Sequence, residues 1–446
     1  MATTAHRQKV NNPVKAAEGI PYFTAAQEPA PGTFIQTLDG KPQPKLFEPI
    51  TIRGTTFQNR IWVAPMCQYS ASATSTPTNW HISHLGSLAI GGAGLIIIEA
   101  TAVAPIGRLS PHDLGLWSRD QLADYKNLTT FIHSQSCKIG IQLGHAGRKA
   151  SCPPPWITFG GISWPEEGGW PDEVVGPSGG PEGAYSEQLP VPKELTVEEI
   201  QQVVADFGKS AALAVEAGFD AIEIHAAHGY LISSFLSPAS NKRTDAYGGS
   251  FEGRTRIVFE VIESIRKNVP ESMPLFIRFS ASDNLENNPA YTGESWKIED
   301  TVQLAQLIQE RAVGVDLIDV SSGGNHPLQK LAAVPGYQVH MAAAIREGLK
   351  SLPSYSEPSK RVEVGTVGLI TTGTQAEEIL QKGDADVILV GRGFLKDRNL
   401  VFSWAEELGT EVEYTCQNRW VFQGRGPRKV VKKVEAKSEK EGTTIP

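Results

Sequence analysis

The residues best suited to chemistry stand at 221–231, where an alternating apolar run ends in His225, His228 and Tyr230. Two imidazoles and a phenol can donate hydrogen bonds to an oxygen, transfer a proton or bind a metal ion. The apolar residues predict a buried strand, so the three polar side chains would stand where that strand emerges. A structural explanation stays open at this point, with both histidines bonded to backbone carbonyls and Tyr230 at a rim.

Eight short apolar runs, rich in Val and Ile, recur along the chain, and a helical pattern follows each of them. Continuous runs of this kind are typical of parallel strands that are buried on both faces. Eight such units predict the α/β class and a single (β/α)8 TIM barrel. A doubly wound open sheet is the alternative, weakened because no Gly-x-Gly-x-x-Gly motif opens the first unit. The runs are 61–66, 95–101, 138–144, 221–227, 275–280, 317–322, 364–370 and 386–391.

The barrel accounts for only part of the chain, which divides into four segments. Insertions at 151–192 and 284–296 follow the third and fifth strands, which places both on the catalytic face of a barrel. The Lys-rich C-terminal extension is predicted to be a flexible tail, with a partner-binding tail as the alternative. The segments are an N-terminal arm at 1–45, the barrel at 46–410, a C-terminal segment at 411–423 and the tail at 424–446.

Composition narrows the classes of function. The net charge of −8 argues against nucleic-acid binding, and no apolar run is long enough for a membrane span. The first ten residues contain no apolar signal region, so we expect a cytoplasmic protein. The four cysteines are scattered without a Cys-x-x-Cys pair, which suits free thiols in a reducing compartment and predicts no metal site.

Other predicted strand ends also carry polar groups. Cys67 and Tyr69 follow the first strand, although Cys67 would serve equally as a small buried apolar side chain. Gln142, near the end of the third strand, offers both a donor and an acceptor for a heterocyclic amide edge. Arg278, on the fifth strand, is expected to face a carboxylate or an anionic ligand, because a buried unpaired arginine is unfavourable.

Glycine-containing loops at 321–324, 371–373 and 391–393 follow the last three predicted strands. Exposed backbone N–H groups there favour a phosphate, although turns require glycine in any case. A flat phosphorylated heterocycle would suit these loops together with Gln142 and Arg278. Flavin mononucleotide (FMN) is the obvious candidate, with Arg278 stabilising the negative charge that develops at its N1/O2 edge on reduction.

Four longer motifs resemble the Old Yellow Enzyme family of FMN-dependent ene-reductases, and specifically its YqjM-like, or thermophilic-like, branch. The resemblance covers about 46–420, and the motifs match in order and spacing. They are Ala-Pro-Met-Cys-Gln-Tyr-Ser at 64–70, His-Ala-Ala-His-Gly-Tyr-Leu at 225–231, Asn-Lys-Arg-Thr-Asp-Ala-Tyr-Gly-Gly-Ser at 241–250 and Arg-Phe-Ser-Ala-Ser-Asp at 278–283.

The resemblance implies roles for individual residues. His225 and His228 would hold the carbonyl oxygen of the substrate, Tyr69 would contact the substrate, and Tyr230 would donate the proton. Arg419 would reach into the site of a neighbouring subunit. The flavin would be bound by Ala64, Pro65, Met66, Cys67, Ala100, Gln142, His225 and Arg278, and its phosphate by Ser322, Gly323, Gly324, Gly373, Gly391 and Arg392.

The implied activity is that of an NADPH dehydrogenase or ene-reductase, in a homo-oligomer such as a dimer or tetramer. NADPH or NADH would reduce tightly bound FMN and leave, in a ping-pong cycle. Hydride would then pass from flavin N5 to the β-carbon of an α,β-unsaturated carbonyl or nitro compound, and Tyr230 would protonate the α-carbon. The arm, the two insertions and the C-terminal extension depart from shorter relatives, which leaves substrate range and subunit packing open.

Three other functions have weaker support in the sequence. A metal-dependent barrel lyase or hydrolase is supported only by His-x-x-His, for which no nearby carboxylate or cysteine completes a ligand set. A non-catalytic flavin-binding protein is left open by the sequence. Iron–sulfur dienoyl reductases share the barrel, but they need a cysteine cluster and further domains that this sequence lacks.

Overall fold

The apolar runs form the eight parallel strands of a closed barrel. The computed structural model describes residues 15–38, 40–158, 160–286, 288–357 and 361–424. Each strand pairs with its neighbours in chain order, and β8 pairs with β1, so the TIM barrel is confirmed and the open sheet is wrong. The strands are β1 Ile61–Val63, β2 Leu95–Ala102, β3 Lys138–Gly144, β4 Ala221–Ala226, β5 Leu275–Ser280, β6 Leu317–Ser321, β7 Glu363–Thr366 and β8 Val387–Val390.

Two strands end three or more residues before the predicted position, for backbone reasons. β1 ends at Val63, shortly before Pro65, which has no N–H to donate to a ladder. β7 ends at Thr366, and the chain then turns through positive φ at Gly368 and Leu369. In both places the apolar run continues beyond the strand and forms a wall of the site described below.

A helix follows each strand. The clearest is α3, which begins with a capping box in which the Thr196 hydroxyl accepts from the Glu199 N–H and the Glu199 carboxylate accepts from the Thr196 N–H. It ends at Gly218, whose φ of 90° is left-handed. The barrel helices are α1 Asn79–Ile90, α2 Leu122–Ser134, α3 Val197–Ala217, α4 Phe251–Asn268, α5 Ile298–Glu310, α6 Val339–Lys350, α7 Gly373–Lys382 and α8 Leu400–Glu407.

Shorter elements decorate the barrel. The two-stranded pairs are Phe34–Thr37 with Thr410–Val412, Ile50–Ile52 with Thr55–Phe57, and Val175–Gly176 with Lys193–Glu194. The short α-helices are Gly180–Gly183, Leu231–Leu236, Arg392–Lys396 and Arg419–Gln423. The 3-10 turns are Lys45–Phe47, Pro105–Gly107, Arg119–Gln121, Gly147–Lys149, Pro165–Glu167, Pro171–Glu173 and Pro353–Ser356.

The amino-terminal end of the barrel is closed by aromatic packing. Phe57, from the Thr55–Phe57 strand, contacts Trp62 of β1 with ring centres 4.7 Å apart, and Trp62 stacks on Phe276 of β5 at 5.6 Å. All three side chains are fully buried. Apolar packing at this end leaves the carboxyl ends of the strands for polar groups.

The described part of the arm packs on the C-terminal segment. Phe34–Thr37 pairs antiparallel with Thr410–Val412, and Gln27 bonds to the side chain of Gln417 at 3.0 Å. The division at 45/46 and 410/411 stays a prediction. Residues 1–14 of the arm and 425–446 of the predicted tail lie outside the described residues. Within the described ranges, none of the helices has the length and apolar character needed to cross a membrane.

Candidate active site

A tight turn after β4 brings His225, His228 and Tyr230 together. His228 and Gly229 have left-handed φ angles of 61° and 72°, so the chain reverses before the helix at Leu231–Leu236. As a result the His225 ring meets the Tyr230 ring perpendicularly, with centres 4.8 Å apart. The His225 and His228 rings are also perpendicular, at 5.3 Å. Residues that would diverge on a continuous strand therefore form one cluster.

Both histidines are neutral. The Nδ1 of His225 accepts a hydrogen bond from the Ala227 N–H at 3.3 Å, which assigns the ring proton to Nε2. The Nε2 of His228 lies 2.7 Å from the Ser321 hydroxyl. Burial lowers the pKa of His225 well below its usual value and that of His228 to about 3, with nearby positive charges adding to the effect. The pair can donate hydrogen bonds but carries no positive charge.

Tyr230 stays protonated in this environment. Burial raises its pKa well above the usual value, and the neighbouring Cys67 thiol and Tyr69 phenol raise it further. Tyr69 is itself held in a left-handed conformation, with φ at 51°. Burial likewise raises the pKa of Cys67, which keeps that thiol protonated. The cluster holds weak acids in their proton-carrying form.

The predicted site residues are distributed between two cavities, and some of them line neither. A small one of about 20 Å³ is lined by Cys67, Ala100, His225 and Tyr230. A large one of about 690 Å³ opens at the ends of β1, β7 and β8, and it is lined by Ala64, Pro65, Met66, His228, Arg278, Gly391 and Arg392. Gln142, Tyr69, Ser322, Gly323, Gly324, Gly373 and Arg419 line neither of these two cavities.

Arg278 faces a carboxylate, as expected. Its guanidinium pairs with Asp319, the residue beside it in the ladder between β5 and β6, and both side chains are buried. Glu223, on β4, also lies within electrostatic reach. The Nη2 atom of Arg278 is buried and has no hydrogen-bond partner among the described residues, so it can donate to a ligand in the large cavity.

Gln142 is engaged with a neighbouring strand. Its Nε2 donates to the Glu223 carboxylate at 2.7 Å, and both side chains are buried. Burial raises the pKa of Glu223, and the charge of Asp319 adds to this rise. Gln142 was predicted to read a heterocyclic amide edge, and one of its two N–H donors is used within the protein.

Some of the donor groups in the loops predicted to bind phosphate already have hydrogen-bond partners within the chain. The Ser322 hydroxyl donates to the Gln338 side chain at 2.8 Å, and the Gly323 N–H donates to the Ser282 carbonyl at 2.8 Å. Both groups are thus bonded within the chain, and the phosphate-binding role of the loop after β6 stays a prediction.

The backbone N–H groups of Gly373, at the start of α7, and of Gly324, in the loop after β6, are also bonded within the chain. The Gly324 N–H donates to the Gln329 side chain, and the Gly373 N–H donates to the Glu407 carboxylate at 2.8 Å. An acidic side chain thus occupies the helix terminus where an anion was expected. Of the residues predicted to bind the phosphate, Gly391 and Arg392 line the large cavity, together with Lys396, and their phosphate contacts stay a prediction.

Three residues that lie at the site were not identified from the sequence. The Lys149 ammonium donates to the His228 carbonyl at 2.8 Å, and burial lowers its pKa to about 7. Asp113 lines the small cavity, and burial raises its pKa to about 7. The Nδ1 of His145 accepts from the Gly147 N–H at 3.0 Å, while its buried Nε2 has no partner in the described part of the chain. Lys149 and His145 border the Gly-rich end of the third strand, whereas Asp113 carries no sequence signal.

Arg419 pairs within its own chain. Its guanidinium lies 2.5 Å from the Glu413 carboxylate, at the start of the helix Arg419–Gln423. Contact with a neighbouring subunit stays a prediction. Across the described ranges, no group of three or more His, Cys, Asp or Glu side chains is placed to hold a metal ion.

Comparison with known proteins gives consistent matches. A family model described as NADH:flavin oxidoreductase / NADH oxidase matches residues 45–411. The chain is 49% identical over 419 residues to the NADH:flavin oxidoreductase of Gibberella zeae, covering 92% of this chain and 96% of that protein. It is 45% identical to the NADPH dehydrogenase of Bacillus velezensis, covering 84% of this chain and 98% of that protein. An old yellow enzyme homologue from Zymomonas mobilis is 25% identical, with a TM-score of 0.63 and coverage of 84% of this chain and 96% of that one.

Proposed function

This chain belongs to the NADH:flavin oxidoreductase / NADH oxidase family, and we propose that it reduces activated carbon–carbon double bonds. Family membership confirms the predicted Old Yellow Enzyme relationship, the oxidoreductase class, FMN as cofactor and NAD(P)H as reductant. The proposed substrates are α,β-unsaturated carbonyl or nitro compounds. The observation that supports this choice is the pairing of a neutral hydrogen-bond donor, His225, with a protonated phenol, Tyr230, at 4.8 Å between ring centres.

The residues around the large cavity fit FMN. Its volume of about 690 Å³ lies within the range of small-molecule sites. Arg278 offers an unpartnered buried donor to an oxygen edge, while Arg392 and Lys396 offer positive charge for a phosphate. Ala64, Pro65 and Met66 supply an apolar wall for a flat ring. Bound FMN supplies the hydride for the β-carbon of the alkene.

The histidines activate the substrate. The Nε2–H of His225 donates to the carbonyl or nitro oxygen, which draws electron density from the double bond and makes the β-carbon electrophilic. His228 provides a second donor through Nδ1 when its Nε2 accepts from the Ser321 hydroxyl. Because both rings are neutral, they stabilise the developing negative charge without giving up a proton to the oxygen.

Tyr230 delivers the proton. Its raised pKa keeps the phenol protonated until negative charge develops on the α-carbon of the substrate. The Lys149 ammonium lies 5.8 Å from the centre of the Tyr230 ring, where its charge stabilises the phenolate that remains. The proton is recovered from water before the next cycle.

The test separates the two halves of the cycle under anaerobic conditions. NADPH should bleach the visible flavin band of the purified enzyme, and cyclohexenone should then restore it. Bleaching without recovery would leave the protein a flavin-dependent NADPH dehydrogenase and contradict alkene reduction. A saturated ketone, cyclohexanone, is the matched control and should restore nothing.

A further inference from the structure

The insertion at 151–192 has a rigid base beside the small cavity. The Ser151 hydroxyl donates to the Ser163 carbonyl at 2.9 Å and accepts from the Trp170 N–H at 2.7 Å. The Trp170 indole donates to the Ile106 carbonyl at 3.1 Å, and the Arg108 guanidinium lies 4.5 Å above its ring. Both Ile106 and Arg108 belong to the loop after β2, so the insertion is fastened to a wall of the site.

The tip of the same insertion is apolar and exposed. Trp156 is 67% exposed and Ile157 is 68% exposed. Three prolines at 153–155 precede them, and the Ile157 N–H donates to the Pro154 carbonyl at 3.0 Å. Proline restricts φ, so this turn loses little conformational entropy when a ligand orders it. The Trp156 indole is exposed to solvent on a turn with few accessible conformations, so it can bind an apolar group.

Trp156 contacts Tyr69, the residue that is predicted to contact the substrate. The two rings meet edge to face, with centres 5.3 Å apart and planes at 88°. Tyr69 in turn lies within electrostatic reach of Cys67, which raises the pKa of the Tyr69 phenol, and of Tyr230, whose pKa the Tyr69 phenol raises. The exposed indole is therefore linked to Tyr230, which lines the small cavity, through the Tyr69 ring that lies between them in this chain of contacts.

We infer that Trp156 is a specificity-determining residue that favours enones bearing an aryl group. This inference rests on the proposed function and names the substrate class for that site. An aryl ring that extends beyond Tyr69 would pack on the indole and remove both surfaces from water. A small alkyl enone ends at Tyr69 and does not reach Trp156.

The experiment compares two enones that differ only in phenyl against methyl, benzylideneacetone and ethylideneacetone. Trp156→Ala should lower kcat/KM for benzylideneacetone about tenfold, mainly through KM, and change ethylideneacetone less than about twofold. Trp156→Phe should restore most of the preference, because an aromatic face remains. Trp164→Ala is the matched control: this indole is 54% exposed on the same insertion and makes no ring contact with Tyr69 in the described part of the chain.

Each outcome decides the inference. An unchanged ratio in Trp156→Ala, an equal loss for both enones, or the same change of ratio in Trp164→Ala would overturn it. A smaller species of Trp156→Ala in sedimentation velocity, with the ratio unchanged, would assign the indole to a subunit contact and also overturn it. If the wild-type enzyme is reduced by NADPH but reoxidised by neither enone, the proposed function itself fails, which is a separate result.

Discussion

The Lys149 ammonium donates a hydrogen bond of 2.8 Å to the carbonyl oxygen of His228, at the turn that presents Tyr230. It also donates to the carbonyl of Gly324, after β6, and lies 4.1 Å above the Tyr185 ring. A partly buried cation therefore joins three segments of the catalytic face.

Alkene reduction should fall as pH rises through about 7, because burial lowers the pKa of Lys149 to that value and its charge is then lost. Lys149→Met should remove this dependence and slow flavin reoxidation by cyclohexenone about tenfold below that pH. Stopped-flow rates across the pH range measure both effects. Lys126→Met, which changes an exposed lysine on α2, is the control and should keep the wild-type profile.

The same ionisation has the opposite effect on stability. The pKa of Lys149 is about 7 in the folded protein and 10.5 in the reference state, so the unfolded chain binds more protons between these values. The contribution of Lys149 to the free energy of unfolding therefore rises with pH across this window. If Lys149→Met and wild type lose activity together on the alkaline side, unfolding or another group is responsible.

Tyr230→Phe should separate the two halves of the cycle. The variant keeps the ring that packs on His225 but has no proton to donate, so reoxidation by cyclohexenone should slow at least about a hundredfold. Reduction of the flavin by NADPH should change little. Stopped-flow measurements of each half-reaction check this, and a loss confined to the NADPH step would contradict the role of Tyr230.

Arg278→Met should destabilise the protein and weaken FMN binding. It leaves the buried Asp319 carboxylate without its partner, at a cost of about 3–5 kcal/mol in the free energy of unfolding. The variant also removes the unpartnered Nη2 donor at the large cavity. Urea unfolding and the FMN content of the purified protein measure the two effects. Lys267→Met breaks an exposed pair with Glu263 and should change stability by less than about 1 kcal/mol.

Gly229→Ala should disrupt the turn that assembles the site. A Cβ at this position would lie 2.3 Å from the Gly324 carbonyl oxygen, and the φ of 72° is itself unfavourable for alanine. We expect a loss of more than about 2 kcal/mol in stability together with most of the activity. Gly180→Ala is the control, since its φ is 71° but nothing lies within 4 Å, and it should lose about 1 kcal/mol with activity retained. Equal losses in thermal unfolding would show that strain alone is responsible.

The barrel and the residues that stand at its catalytic end could be predicted from local patterns in the sequence. Short Val- and Ile-rich runs are a local property, and parallel strands joined by helices collect all their carboxyl ends on one face. Cys67, Ala100, His225 and Tyr230 consequently line one cavity, as their positions near or after the carboxyl ends of β1, β2 and β4 predicted. Apolar periodicity predicted the strands but not where they end. Near Pro65 and Gly368 the backbone stops pairing with the neighbouring strands, although the side chains stay apolar.

Which polar groups remain available to a ligand depends on contacts between distant segments, and these become visible in the folded protein. Gly373 matched a phosphate loop by sequence, but the carboxylate of Glu407, on α8, occupies its N–H. Arg278 needed a partner, but only the register of β5 against β6 identified it as Asp319. Lys149 and Asp113 acquire their shifted pKa values from burial that no local pattern reports. Hydrogen-bond satisfaction and desolvation depend on groups from distant segments, whereas periodicity records only the geometry of neighbours along the chain.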